Sequence, residues 1–105
     1  MLHLDFGARI KQLREAAGLS QNELARRAGL AQSGLSYLES GAKGPSIDTL
    51  LRICSALGLS LSQFLGEEDN PLPPDIRLLV REVEQLTPDQ RRTLTEFIRS
   101  LKTTD

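Results

Sequence analysis

One cysteine, Cys54, and one histidine, His3, are all that this chain offers for nucleophilic or metal-ligating chemistry. A lone thiol and a lone imidazole far apart in sequence build neither a catalytic pair nor a zinc site, and a single cysteine closes no internal disulfide. No glycine-rich phosphate-binding loop is present. The expectation is a protein that is not an enzyme and uses no metal or cofactor. The informative side chains instead crowd into Ser20–Gly41, SQNELARRAGLAQSGLSYLESG. This stretch reads as two short helices hinged at Gly29. Ser20, with Glu23 three residues later, opens the first as a capping box, and Gly41 closes the second. Two short helices at a steep angle with a glycine in the turn form a helix-turn-helix, the unit that lays one helix in the major groove of DNA.

The elements that must position this unit follow from apolar spacing. Aromatic residues make up 4% of the 105-residue chain and Trp is absent, so the core is built from Leu, Ile, Val and Ala. That composition favours an all-α fold, with room for one compact domain and an appendage. Phe6, Ile10, Leu13 and Ala17 form one stripe of a first helix from about Asp5 to Ala17, stopped by Gly18. Leu24, Ala25 and Ala28 line the inside of the second. Leu35 and Leu38 do so for a third, about Gln32 to Ser40. Ser46 caps a fourth with Ile47, Leu50, Leu51, Ile53, Cys54 and Leu57 inward, which makes Cys54 a core residue. Ser60 and Gln63 box a short fifth helix carrying Leu61, Phe64 and Leu65, ended by Gly66. These five helices make one closed bundle over residues 1–66.

Residues 67–74, EEDNPLPP, read as a linker, because a charge run and three prolines deny it helix. Residues 75–105 then carry two amphipathic stripes, Ile76, Leu79, Val80, Val83 and Leu86, and Leu94, Phe97, Ile98 and Leu101. Thr87-Pro88-Asp89-Gln90 between them is a helix start. The expected product is a two-helix hairpin too small to bury both stripes alone. The formal net charge of −1 hides an asymmetry: residues 1–66 hold seven Lys/Arg against five acids, and residues 67–105 six against nine. The positive balance lies on the helix-turn-helix side and is mild, so non-specific electrostatics contribute modestly to affinity for nucleic acid.

Leu19-Ser20-Gln21-Asn22-Glu23-Leu24-Ala25, Ala28-Gly29-Leu30, Leu35-Ser36, Glu39, Gly41, Pro45-Ser46, Leu50 and Ala56-Leu57-Gly58 together resemble the lambda-repressor/Cro-like helix-turn-helix family, also called XRE. The resemblance covers about residues 6–66. The C-terminal hairpin is more broadly similar to the oligomerisation helices of SinR-type repressors. The resemblance implies a five-helix DNA-binding bundle plus the hairpin, and it assigns roles. Gln21 bonds a phosphate and braces the recognition helix, helped by the helix dipole. Gln32, Ser33, Ser36 and Tyr37 face the bases: Gln suits adenine, Ser several bases, and Tyr a thymine methyl or a phosphate. Lys43 contacts phosphate, and Arg9 and Arg26 or Arg27 are further candidates. Arg14 and Glu39 match a semi-buried ion pair that locks the first helix to the recognition helix. The chain departs from the family pattern at Ala31, where a capping Ser or Thr is usual, and at Gly34 inside the recognition helix. Both changes weaken that helix.

The functional expectation is a sequence-specific transcriptional regulator, a repressor binding double-stranded DNA at a palindromic operator as a homodimer or higher homo-oligomer. Dimerisation is expected through Ile76, Leu79, Val80, Val83, Leu94, Phe97, Ile98 and Leu101 in a small four-helix bundle. The alternative is a protein-interaction module, antitoxin-like, whose hairpin takes a regulatory protein partner; the two roles are compatible. No apolar run approaches the roughly 18–20 residues that span a bilayer, and no signal peptide is evident. A cytoplasmic protein without a membrane partner is expected.

Overall fold

The computed structural model describes residues 5–66 and 71–102. Seven α-helices run in order: α1 Phe6–Ala16, α2 Gln21–Ala28, α3 Gln32–Glu39, α4 Ile47–Leu57, α5 Leu61–Leu65, α6 Pro74–Glu84 and α7 Pro88–Lys102. No strand occurs among the described residues, so the fold is all-α. The chain divides into two compact units, Met1–Leu72 and Pro73–Asp105.

In the first unit each helix start is written locally. Asp5 accepts from the Ala8 amide, and Ser20, Ser46 and Ser60 accept from Glu23, Thr49 and Gln63. Such caps satisfy amides that have no partner inside the helix. Ile10, Leu24, Leu35, Ile53 and Phe64 are fully buried, and together they tie all five helices to one core. Cys54 is buried among them at 2% exposure. α2 packs chiefly on α4 and α3, while α1 packs on α3. Phe6 stacks on Phe64 with ring centroids 6.2 Å apart, joining the two ends of the bundle. Ala17, expected on the α1 stripe, instead lies beyond the helix as its exposed C-cap.

Two contacts in this unit have no signature in apolar periodicity. Gly7 is buried in the first turn of α1, and a Cβ there would stand 2.5 Å from the carbonyl oxygen of Leu38 and 2.7 Å from that of Glu39. α1 therefore passes so close to the C-terminal end of α3 that only glycine fits. Arg9, one of the candidate phosphate contacts, bonds within the bundle. Its Nε donates to Phe64 O at 2.9 Å, and its Nη2 to Gln63 O at 3.0 Å and Gly66 O at 2.9 Å. The cause lies in α5. That helix is too short to satisfy its own carbonyls, and Gly66 is extended (φ −99°) rather than left-handed. A guanidinium fork therefore supplies the missing donors.

Most of the expected linker, residues 67–70, lies outside the described residues. Leu72, within the expected linker, is only 4% exposed and belongs to the first unit. In the second unit, Pro74 occupies the start of α6. Thr87 and Gln90 cap α7 reciprocally: the Gln90 amide donates to Thr87 Oγ1 at 3.2 Å, and the Thr87 amide to Gln90 Oε1 at 2.9 Å. Among the described residues no helix is long and apolar enough to cross a membrane.

Candidate nucleic-acid interface

The turn between α2 and α3 depends on Gly29, whose φ of 70° is left-handed and open to glycine at little steric cost. The Leu30 amide donates back to Ala25 O at 2.8 Å, closing α2 and aiming the chain into α3. α3 begins at Ala31, which provides no side-chain cap. Leu35 and Leu38 are its buried residues. At 100° per residue, that leaves Ser33, Ser36 and Tyr37 on the opposite side of the cylinder. Gln32, Ser33 and Tyr37 are exposed, Tyr37 to 59%, and Ser36 is half-buried. The outward face thus offers amide, hydroxyl and phenol groups, a donor and acceptor set suited to base edges.

A chain of polar contacts fixes this face to the rest of the bundle. Arg14 Nε donates to Glu39 Oε2 at 2.7 Å and Arg14 Nη2 to Glu39 Oε1 at 3.0 Å, a two-pronged ion pair. The side chains are 11% and 4% exposed, respectively. Arg14 Nη1 also donates to Leu19 O at 2.8 Å, so one guanidinium ties α1, the turn before α2 and the end of α3. The hydrogen bonding of Arg14 to the Glu39 carboxylate raises the Arg14 pKa, against the opposing effect of burial. Gln21 Nε2 donates to Glu39 Oε1 at 3.1 Å, and Gln32 Nε2 donates to Gln21 Oε1 at 2.8 Å. Gln21 therefore sits between the last and first residues of α3 and bonds to both.

Other polar groups border this face. Lys43 is exposed in the turn after α3, where Ser40 Oγ donates to Tyr37 O at 2.7 Å and accepts from the Ala42 amide at 3.3 Å. Arg26 and Arg27 are exposed in the last turn of α2, where positive charge complements the helix dipole. Glu23 at the start of α2 has its pKa lowered, first by the hydrogen bond from the Ser20 backbone and then by the Ser20 hydroxyl. Among the described residues no group of three or more His, Cys, Asp or Glu is arranged to hold a metal ion.

In the second unit the expected self-association residues are not equivalent. Leu79, Phe97, Ile98 and Leu101 are 59%, 58%, 43% and 57% exposed, while Ile76, Val83 and Leu94 are half-buried. Val80 is only 8% exposed and presents no free surface. Its place outside is taken by Leu78, which the stripe omitted and which is 61% exposed. Leu79 and Val80, adjacent in α6, thus differ sharply in exposure, 59% against 8%.

The chain resembles proteins already characterised. The family described as "Helix-turn-helix domain" matches residues 5–64. The HTH-type transcriptional regulator PuuR of Escherichia coli (strain K12) is 37% identical over 70 residues, which cover 67% of this chain and 38% of PuuR. This chain thus spans well under half of that relative's length. A crystal structure of SinR in complex with DNA matches with a TM-score of 0.54 and 41% identity, covering 57% of this chain and 97% of that one. A chain of the SinR/SinI protein complex matches with a TM-score of 0.55 and 32% identity over 94% of this chain and 99% of its own. The second match extends over both units. With the α2–Gly29–α3 geometry, the braced outward face of α3 and a match over more than half its residues, this chain belongs to the lambda-repressor/Cro-like helix-turn-helix family.

Proposed function

We propose that this protein is a sequence-specific DNA-binding transcriptional regulator, a repressor that occupies a two-fold operator as a dimer. The observation that carries the reading is the outward face of α3, held at both ends through Gln21 and Glu39. Ser33, Ser36 and Tyr37, with Gln32 at the helix start, take the role of base readers. Gln21 and Lys43 take phosphates, Gln21 through the second hydrogen of its amide. The positive formal charge of residues 1–66, seven Lys/Arg against five acids, agrees with an anionic ligand. Family and fold favour binding over catalysis.

Dimerisation is assigned to the hairpin. Leu78, Leu79, Phe97, Ile98 and Leu101 are left exposed, and covering each gains up to about 1.5–3 kcal/mol. A second copy would bury the same residues on both hairpins, as two-fold contacts require. Half-sites then fall about one helical turn, ~34–36 Å, apart on the operator. A regulatory protein partner is the second reading. It is favoured by the match along nearly the whole chain to a structure of two different proteins in complex.

Selection of bound sequences from random duplex DNA at stated salt tests the main reading. An enriched motif with two-fold symmetry is expected, and a flat result would refute it. Light scattering then separates the two uses of the hairpin. A dimer that becomes monomeric on truncation after Leu72 supports self-association, whereas a full-length monomer supports the partner. The cut belongs after Leu72 rather than Gly66, because Leu72 is buried in the first unit.

A further inference from the structure

Gly34 lies in the middle of α3, and nothing within the protein asks for glycine there. A Cβ built on it meets no atom within 4 Å, and its φ is not positive. Glycine in a helix interior is less favourable than alanine. α3 is also the helix whose N-cap residue, Ala31, makes no side-chain bond. A weakened, exposed, sterically unopposed position in the recognition helix points to a neighbour outside the chain. What lies beside it narrows the choice. An open groove of about 690 Å³ runs along α3, with Ser33, Gly34 and Tyr37 on one wall and Lys43, Gly44 and Thr49 on the other. Among the described residues that line it, Lys43 is the one charged group, so the groove suits an anion.

We propose that Gly34 sets the depth at which the recognition helix seats on DNA. The missing side chain lets one sugar–phosphate strand of the duplex lie in this groove against the main chain of α3, with Lys43 facing a phosphate from the opposite wall. This inference rests on the DNA-binding reading above and adds a position to it. A methyl group at residue 34 holds the strand away from α3, and Ser33 and Tyr37, on either side of it in the helix, lose their reach to the base edges. Binding then falls although the helix itself becomes more stable.

The test compares wild type with Gly34→Ala on the duplex enriched from random DNA, by fluorescence anisotropy over a series of salt concentrations, with thermal melting of each free protein. Gly34→Ala is expected to melt higher than wild type yet bind at least about tenfold more weakly. The dependence of its affinity on salt should be shallower, because phosphate contacts are lost. Equal or tighter binding by Gly34→Ala overturns the inference while the DNA-binding reading stands. Weaker binding with an unchanged salt dependence overturns the placement of the strand. If wild type enriches no sequence at all, the DNA-binding reading fails and this inference with it.

Discussion

Replacing Glu39 with alanine strips three donors of one acceptor: Arg14 Nε, Arg14 Nη2 and Gln21 Nε2. The guanidinium keeps only its bond to Leu19 O, in a side chain 11% exposed. Breaking a buried pair by removing one partner costs about 3–5 kcal/mol, since the remaining charge stays desolvated. The bond to Leu19 and the small exposed edge of Arg14 place this case near the lower end, at ~3 kcal/mol. With a urea dependence of about 1 kcal/mol per molar for a unit of this size, the unfolding midpoint should fall by about 3 M. Circular dichroism during urea titration reads this directly. The reciprocal variant Arg14→Ala leaves the Glu39 carboxylate, 4% exposed, with Gln21 as its remaining donor, and should lose a similar amount. In the double variant the losses should not add, and the cycle should return a coupling of about 2 kcal/mol or more. A loss under about 1 kcal/mol for Glu39→Ala, or losses that simply add, would refute the reasoning. The pair would then be no more than a solvated surface contact.

Three further outcomes are expected. Gly7→Ala should destabilise by roughly 1–3 kcal/mol or more in the same titration, because its Cβ meets two main-chain oxygens of α3 that have no rotamer to escape to. Arg9→Ala should lower stability by about 1–3 kcal/mol and open α5 first, seen as faster hydrogen exchange of the Leu61–Leu65 amides, while DNA affinity measured well below the melting point stays unchanged. For Glu23, the folded pKa lies below the unfolded one. Its contribution to stability is therefore present above the ordinary carboxylate range and is lost as pH falls through the lowered value. Melting temperatures from pH 6 downward should decline less steeply in Glu23→Gln, since Gln can fill the same box without titrating.

The five-helix bundle was legible because its signals are local. Ser20, Ser46 and Ser60, followed three residues later by capping partners, and glycines at the helix ends mark boundaries that leucine spacing alone leaves loose. The Arg14–Glu39 contact spans 25 residues of sequence, and it was the family resemblance rather than any local pattern that pointed to it. What the sequence hid are contacts made by tertiary geometry. Nothing about Arg9 marks it as the donor for the α5 carbonyls until α1 and α5 are seen to meet. Nor does Gly7 stand out, since a glycine in a first turn is unremarkable until α3 passes 2.5 Å from where its Cβ would be. Nothing in the sequence pairs Gln21 with Gln32, eleven residues apart; their mutual bond follows from the turn at Gly29. The hairpin stripes were visible as residue types, but which side of each stripe stays in water depends on packing that spacing does not encode.

The central claim is that the outward face of α3 reads sequence. The direct measurement is selection from random duplex DNA, run side by side on wild type, on Lys43→Ala, and on a Ser33→Ala, Ser36→Ala, Tyr37→Ala triple variant. Lys43→Ala should keep the wild-type motif while weakening binding to all sequences alike, with the salt slope reduced by about 1. The triple variant should remain folded yet lose or change the preferred bases in each half-site. An unchanged motif from the triple variant would contradict the claim.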